Sequence, residues 1–208
     1  MIDVEIVEVA SAARVMASLR DDLAPHDLVL VDRAWMRARE RLVAQLDAHK
    51  VPRRDWPQSL LWDWSRKAPA LKRLEARAFS ITCNERVQGV MLTRSALYTA
   101  RVPADHNRPL IYIDFLESAP WNWRIPAIGQ LAKFKGLGSL FVRDAVRLSI
   151  EEGFHGRVGL HSLPQSESFY EKHCGMTSFG PDAKKDSLVY FEFTRDQAAA
   201  FVNWRSDL

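Results

Sequence analysis

Lys133-Phe134-Lys135-Gly136-Leu137-Gly138-Ser139 is the stretch of this sequence best built to hold a phosphate. Its two glycines let the backbone approach a ligand with no Cβ in the way. It also opens a helical pattern, so the unpaired first-turn amides face that ligand with the positive end of the helix dipole behind them. Together these make a pyrophosphate cradle, to which Lys133, Lys135 and the Ser139 hydroxyl would add donors. A glycine pair also serves an ordinary tight turn, so the alternative stays open. The two common nucleotide motifs are absent: there is no Gly-Lys-Ser/Thr ending, and no third glycine with a later acidic residue. Proton chemistry has its own candidates. Asp114 sits within the apolar run Leu110–Leu116, where an unpaired carboxylate is costly and its pKa rises. That suits a general base acting directly or through water, with a salt bridge or cap as the structural alternative. Glu117 follows on the same run. His161 ends a later apolar run and is either a proton shuttle of near-neutral pKa or a satisfied hydrogen bonder. His26, His49, His106, His155 and His173 show no metal-ligand spacing with Cys83 or Cys174. No metal is expected, and Cys174 reads as packing.

The elements that must position these groups follow from periodicity. Residues 33–49 read as an amphipathic helix with Trp35, Leu42, Val43 and Leu46 on one face. Asp32 is its expected N-cap and Pro52 closes it. A second helical piece after Pro57 uses Leu60, Leu61 and Trp64 and, beyond Pro69, Leu71 and Leu74. Val4–Val9 is a rough strand. Phe79, Ile81 and Cys83 alternate, Asn84-Glu85-Arg86 turns, and Val87–Thr93 returns as a hairpin. Leu110–Leu116 is apolar on both faces, as a central strand is, and Pro120 ends it. Leu137, Leu140, Phe141, Ala145 and Leu148 give a helix that stops near Gly153. A strand at Val158–His161, a short helix around Ser166–His173 broken at Gly175, a strand at Leu188–Thr194 with Val189, Phe191 and Phe193 inward, and a helix over 197–204 complete the chain. The expected class is α/β, with helices on both faces of a central sheet.

Composition narrows the setting. The 208 residues are 47% hydrophobic and 26% charged, which marks a globular chain of one domain over 1–208. The net charge of +3 implies no strong polyanion partner. The charge is uneven, because the helical segment 33–73 is +7 while the other 167 residues are −4. That basic segment either meets an acidic partner, RNA included, or is a solvated face, and the solvated face is the simpler reading. There is no signal peptide pattern, no apolar run long enough for a membrane span, and no cysteine framework. A cytoplasmic protein without membrane association is expected.

Lys133-x-x-Gly136-x-Gly138 resembles the Arg/Gln-x-x-Gly-x-Gly/Ala motif of the GNAT-type N-acetyltransferases. Gly156-Arg157-Val158-Gly159-Leu160-His161 looks like that family's fifth strand. Ser166 through Met176, with Phe169-Tyr170-Glu171-Lys172, is similar to its Phe-Tyr-Glu-Lys-x-Gly-Phe ending. The order of these pieces is more specific than any one of them. The resemblance covers roughly 75–195, and the first 75 residues match only in element order. Two departures stand out: Lys133 replaces the commoner Arg or Gln, and an insert over 119–132 lengthens the link from Ser118 to Gly136, with room for a lip on the substrate side.

The resemblance implies a mixed, mostly antiparallel central sheet flanked by helices on both faces. It also implies direct transfer of acetyl from acetyl-CoA to a primary amine, without a covalent enzyme intermediate. The amides of Gly136, Leu137, Gly138 and Ser139 would hold the coenzyme A pyrophosphate. Backbone groups of Leu116, Glu117 and Ser118 would pair with the pantetheine arm. Tyr170 matches the family's acid for the leaving thiolate. Glu117 lies where the family strand commonly bulges and would face the acceptor amine as base, beside Asp114. Trp56, Trp62, Trp64, Trp121 and Trp123 would flank the acceptor groove, or serve as core or homodimer anchors, with core the simpler reading. The acceptor stays open between small amine, antibiotic, peptide N-terminus, protein lysine and aminoacyl-tRNA. Two rivals remain: a GNAT-fold module that binds acyl-CoA or a partner without turnover, and an unrelated α/β protein whose glycine pair is only a turn.

Overall fold

The structure is a computed structural model and describes residues 1–203, the side chain of Ala96 excepted. Its elements are β1 (Ile2–Glu8), β2 (Arg14–Arg20), α1 (Pro25–Ala48), α2 (Trp64–Lys67), β3 (Ala76–Cys83), β4 (Arg86–Thr99), β5 (Pro109–Ser118), β6 (Phe134–Lys135), α3 (Leu137–Glu151), β7 (Val158–Ser162), β8 (Thr177–Asp182), β9 (Leu188–Glu192) and α4 (Arg195–Asn203). The described residues form two compact units, one of Met1–Met91 and Leu116–Gly138, the other of Leu92–Phe115 and 139–203.

In the first unit the strand order is β6-β1-β2-β3-β4, antiparallel from β6 through β3. The β3–β4 hairpin turns at Asn84 and Glu85, both at positive φ, as a two-residue turn matching the strand twist requires. Helix α1 buries Leu28, Val31, Trp35, Leu42 and Leu46 along one stripe. Its last two anchors join Trp56, Leu60 and Ile125 in a core cluster, with Trp123 packed against it. The insert therefore contributes core. Gln88 fastens it: its Oε1 accepts from Trp121 Nε1 at 2.7 Å and from Asn122 Nδ2 at 3.2 Å, and Asn122 Oδ1 accepts the Phe134 amide at 3.1 Å. A buried amide with its capacity used this fully holds one geometry, and here it holds the approach to Gly136.

In the second unit the order is β4-β5-β7-β9-β8. Strands β5 and β7 are parallel, with Ile111 opposite Val158. Parallel neighbours need a long crossover, and α3 lies in that connection. Strands β7, β9 and β8 pair antiparallel. The class is thus mixed α/β with mainly antiparallel pairing, as expected.

Several local expectations need correction. Asp32 is not an N-cap: α1 begins at Pro25, where proline's fixed φ suits the first turn, and Asp27 reaches back to accept the Ala24 amide at 2.8 Å. Strand β2 was not anticipated, because small Ala17 points inward while Met16 points out and blurs the alternation. Strand β8 was masked by Gly180-Pro181, which reads as a turn. The piece after Pro57 is one short turn of helix and a 3-10 turn, and Leu61 and Leu74 are exposed. Strand β9 is covered on both faces, with Glu192 buried beside Phe191. Trp204, the last residue of the expected C-terminal helix, lies outside the described residues.

Candidate functional site

Gly136 has φ +94, a conformation that glycine adopts freely and other residues do not, and α3 starts at the next residue. The approach is pinned on both sides. The Lys133 amide donates to Trp121 O at 3.0 Å, its carbonyl accepts from Val9 at 2.9 Å, and Phe134 and Lys135 pair with Glu8 and Val7. The loop-to-helix geometry expected at Gly136-Leu137-Gly138 is therefore present. Its side-chain donors are only partly available. Ser139 is buried with its hydroxyl 2.8 Å from His173 Nε2, Lys133 Nζ lies 5.1 Å from the Phe134 ring centroid, and Lys135 is exposed.

Glu117, near the end of β5, is 2% exposed. Its Oε2 accepts from Trp64 Nε1 at 2.5 Å and from Arg39 Nη2 at 3.1 Å, while its Oε1 is buried with no hydrogen bond of ordinary geometry, the Ser59 hydroxyl acting on the carboxyl more weakly than Arg39 or Trp64. Burial pushes its pKa up to about 7, against the opposing pull of Arg39, Trp64, Ser59 and Lys67. Arg39 in turn donates to Asp32 Oδ1 at 2.9 Å, and the same oxygen accepts the Trp64 amide at 3.0 Å. Burial lowers the Lys67 pKa, with Glu117 and Asp63 opposing. A carboxyl poised near neutrality with a free buried oxygen can accept a proton from a ligand. Its neighbours on β5 differ: Leu116 is half-buried, and the Ser118 carbonyl already accepts from Trp123 Nε1 at 2.9 Å.

The other predicted residues fall in different settings. Asp114 forms an ion pair with Arg94 at 2.8 Å, the structural alternative stated for it. His161 has both ring nitrogens occupied, Nδ1 by the Tyr112 hydroxyl at 2.7 Å and Nε2 by Asp182 at 3.1 Å. Burial lowers its pKa, and the Arg101 guanidinium holds Asp182 far below the usual carboxylate range. A neutral ring beside a carboxylate carries its hydrogen on Nε2, so Nδ1 accepts from Tyr112. Both ring nitrogens are thus engaged within the protein, an arrangement that fits the satisfied hydrogen bonder given as the alternative for His161. Tyr170 lies on a single π-helical turn, Phe169–His173. Burial raises its pKa, and its hydroxyl makes no hydrogen bond among the described residues. Cys174 is buried and free, its thiol pushed up to about 12.

Arg39 is the site residue that sequence reasoning missed, having been counted with a solvated basic face. Its signal was its place four after Trp35 and three before Leu42, on the apolar stripe of α1. The tryptophans divide. Trp56 and Trp64 are buried, Trp123 packs on the core and Trp121 is held by Gln88, whereas Trp62 lines a surface groove. Among the described residues no cluster of His, Cys, Asp and Glu could hold a metal ion, and no helix is long and apolar enough to cross a membrane.

No protein-family model and no curated protein matches the chain. Solved structures do. Aminoglycoside acetyltransferase AAC(6')-Ib in complex with paromomycin and acetyl-CoA is 19% identical, covering 92% of this chain and 99% of its own, with a TM-score of 0.53. The same enzyme with coenzyme A and kanamycin is 20% identical over 87% and 96%, with a TM-score of 0.51. The PaiA N-acetyltransferase of Thermoplasma acidophilum with coenzyme A is 14% identical over 85% and 97%, with a TM-score of 0.51. These likenesses show the fold, and it is the GNAT fold.

Proposed function

We propose, starting from the GNAT fold, that the chain is an acetyl-CoA-dependent N-acetyltransferase that moves the acetyl group directly to a primary amine. The observation that carries this reading is Glu117: a buried carboxyl with pKa near 7 and one unpartnered oxygen, at the end of the strand that the resemblance assigns to pantetheine. The fold neighbours bound to coenzyme A or acetyl-CoA support the donor. Amides at the start of α3, beyond the positive-φ Gly136, hold the pyrophosphate.

Glu117 Oε1 takes the proton of the incoming ammonium, directly or through one water. The neutral nitrogen attacks the thioester carbon, the C–S bond breaks as the leaving thiolate is protonated, and the second nitrogen proton passes through water to restore the Tyr170 hydroxyl as the amide forms. Tyr170, which burial keeps protonated, is the donor for the leaving thiolate. Calorimetric titration with acetyl-CoA, followed by thiol release in the presence of primary amines, tests the whole. Saturable micromolar binding with amine-dependent release supports it. Binding without release would leave a non-catalytic acyl-CoA module, and no binding at millimolar ligand would remove the reading.

A further inference from the structure

Resting on the transferase reading, we propose that a groove between α1 and residues 60–63 receives the acceptor, and that the acceptor is a singly charged primary amine on an apolar body. The groove has a volume of about 390 Å³, within the range of small-molecule sites. One face of α1 supplies Asp32, Met36, Arg39, Glu40 and Val43, and the chain opposite supplies Leu60 through Asp63. All lie in the first unit with Glu117. Arg39 is the link: the guanidinium that lines the groove also bonds Glu117 Oε2.

Two features select the apolar body. Met36 is 49% exposed and Leu61 80% exposed, and both line this groove beside the Trp62 ring. Large apolar groups gathered in one concave place are surface waiting for an apolar partner. Charge selects a single ammonium. Asp32 is committed to Arg39 and the Trp64 amide, and Asp63 to Ser65, the Arg66 amide and the Arg66 guanidinium. Glu40 alone of the three carboxylates has no hydrogen bond or ion pair among the described residues. It draws one ammonium in. Arg39 in the wall, and Lys67 Nζ 5.1 Å from the Trp62 ring centroid, oppose a second positive charge. A polycationic amino sugar therefore fits this groove poorly, although amino sugars occupy two of the fold neighbours.

The test compares 2-phenylethylamine with kanamycin as acceptors by thiol release, in the wild type and in Leu61→Asp, an exposed position that folding tolerates. The expected kcat/KM for 2-phenylethylamine is at least tenfold above that for kanamycin. Leu61→Asp should raise KM for 2-phenylethylamine about tenfold while KM for acetyl-CoA stays put. Kanamycin as the equal or better acceptor, or an unchanged KM in the variant, overturns the inference and leaves the transferase reading standing. Should no amine release thiol, the transferase reading fails instead. Calorimetry with 2-phenylethylamine then still decides the groove: saturable binding weakened in Leu61→Asp supports it, and equal or absent binding overturns it.

Discussion

Two polar clusters, one in each unit, differ in how far their hydrogen-bonding capacity is used. In the second unit Tyr112, His161, Asp182 and Arg101 form a closed chain in which each nitrogen of the ring has a partner. In the first unit Asp32, Arg39, Trp64 and Glu117 form a chain of similar size that ends in a bare carboxylate oxygen. Burial moves the titratable group of each cluster toward its neutral form, His161 down and Glu117 up. Desolvation alone therefore does not distinguish them. The distinguishing fact is the unspent hydrogen-bonding capacity, which costs stability where nothing fills it and is retained where a ligand does.

The sharpest break of that comparison is a single substitution at each centre. Glu117→Gln keeps an acceptor for Trp64 but cannot take a proton. Thiol release should fall by roughly 10²–10⁴-fold, the share a positioned general base supplies, with acetyl-CoA affinity nearly unchanged. A rate within a few-fold of wild type would remove Glu117 as the base. The pH behaviour has a definite sign. Folded Glu117 keeps its proton up to about 7, whereas an ordinary glutamate loses it near 4.5. Between those values the folded state binds more protons, so this group lowers stability as pH rises through the window, then adds no further change above it. Activity runs the opposite way, rising toward a half-maximum near pH 7 with an acceptor whose own amine titrates well above that. Urea unfolding and kcat/KM profiles of wild type and Glu117→Gln measure both slopes, and both should flatten in the variant.

The His161 cluster should answer the reverse. His161→Ala strands the Tyr112 hydroxyl and removes one partner of Asp182, which costs about 2–3 kcal/mol of stability. Activity per folded molecule should hold. A variant that folds as stably as wild type but loses turnover would return His161 to the chemistry.

Much of this contrast was legible in the sequence, and its limits are physical. The Gly136-x-Gly138 turn into a helix, the β3–β4 hairpin and β5 were legible because each carries a strong local signal: glycine spacing, a two-residue turn, a run apolar on both faces; Tyr170 was named only through the resemblance. Glu117 was named as a carboxylate after the apolar run, and the resemblance turned it toward the acceptor amine, but nothing local says that its carboxyl turns toward α1. Arg39 was hidden because it stands among exposed arginines. Arg33, Arg37 and Arg41 do face solvent, and only the 3.6-residue phase puts Arg39 on the stripe with Trp35 and Leu42. Asp32 was misassigned as a cap because a charged residue before an apolar pattern looks the same whether the helix starts there or about two turns earlier, at Pro25. His161 and Asp182 are 21 residues apart, and no periodicity joins them.

Gly136→Val tests the cradle at a smaller scale. A β-branched residue at φ +94 carries a backbone penalty of roughly 1–3 kcal/mol, and it places a side chain where the pyrophosphate would lie. Acetyl-CoA affinity by calorimetry should drop more than tenfold, while binding of an amine to the α1 groove stays intact. Retained acetyl-CoA affinity would leave Gly136-x-Gly138 as a turn and nothing more.

Tyr112→Phe is the smallest and most selective probe. It deletes a single hydroxyl from the closed cluster, keeps the ring that stacks on Tyr98 at 3.8 Å between centroids, and leaves His161 Nδ1 without its donor. The loss is one neutral hydrogen bond in a buried place, about 1 kcal/mol, read as a lowered urea midpoint at an unchanged slope. Because Asp182 still accepts from Nε2, the ring keeps its tautomer and the β7–β9 pairing keeps its register. Turnover should therefore match wild type within twofold. If turnover falls in parallel with Glu117→Gln, the closed cluster feeds the reaction, and full hydrogen-bond satisfaction no longer marks a purely structural network in this fold.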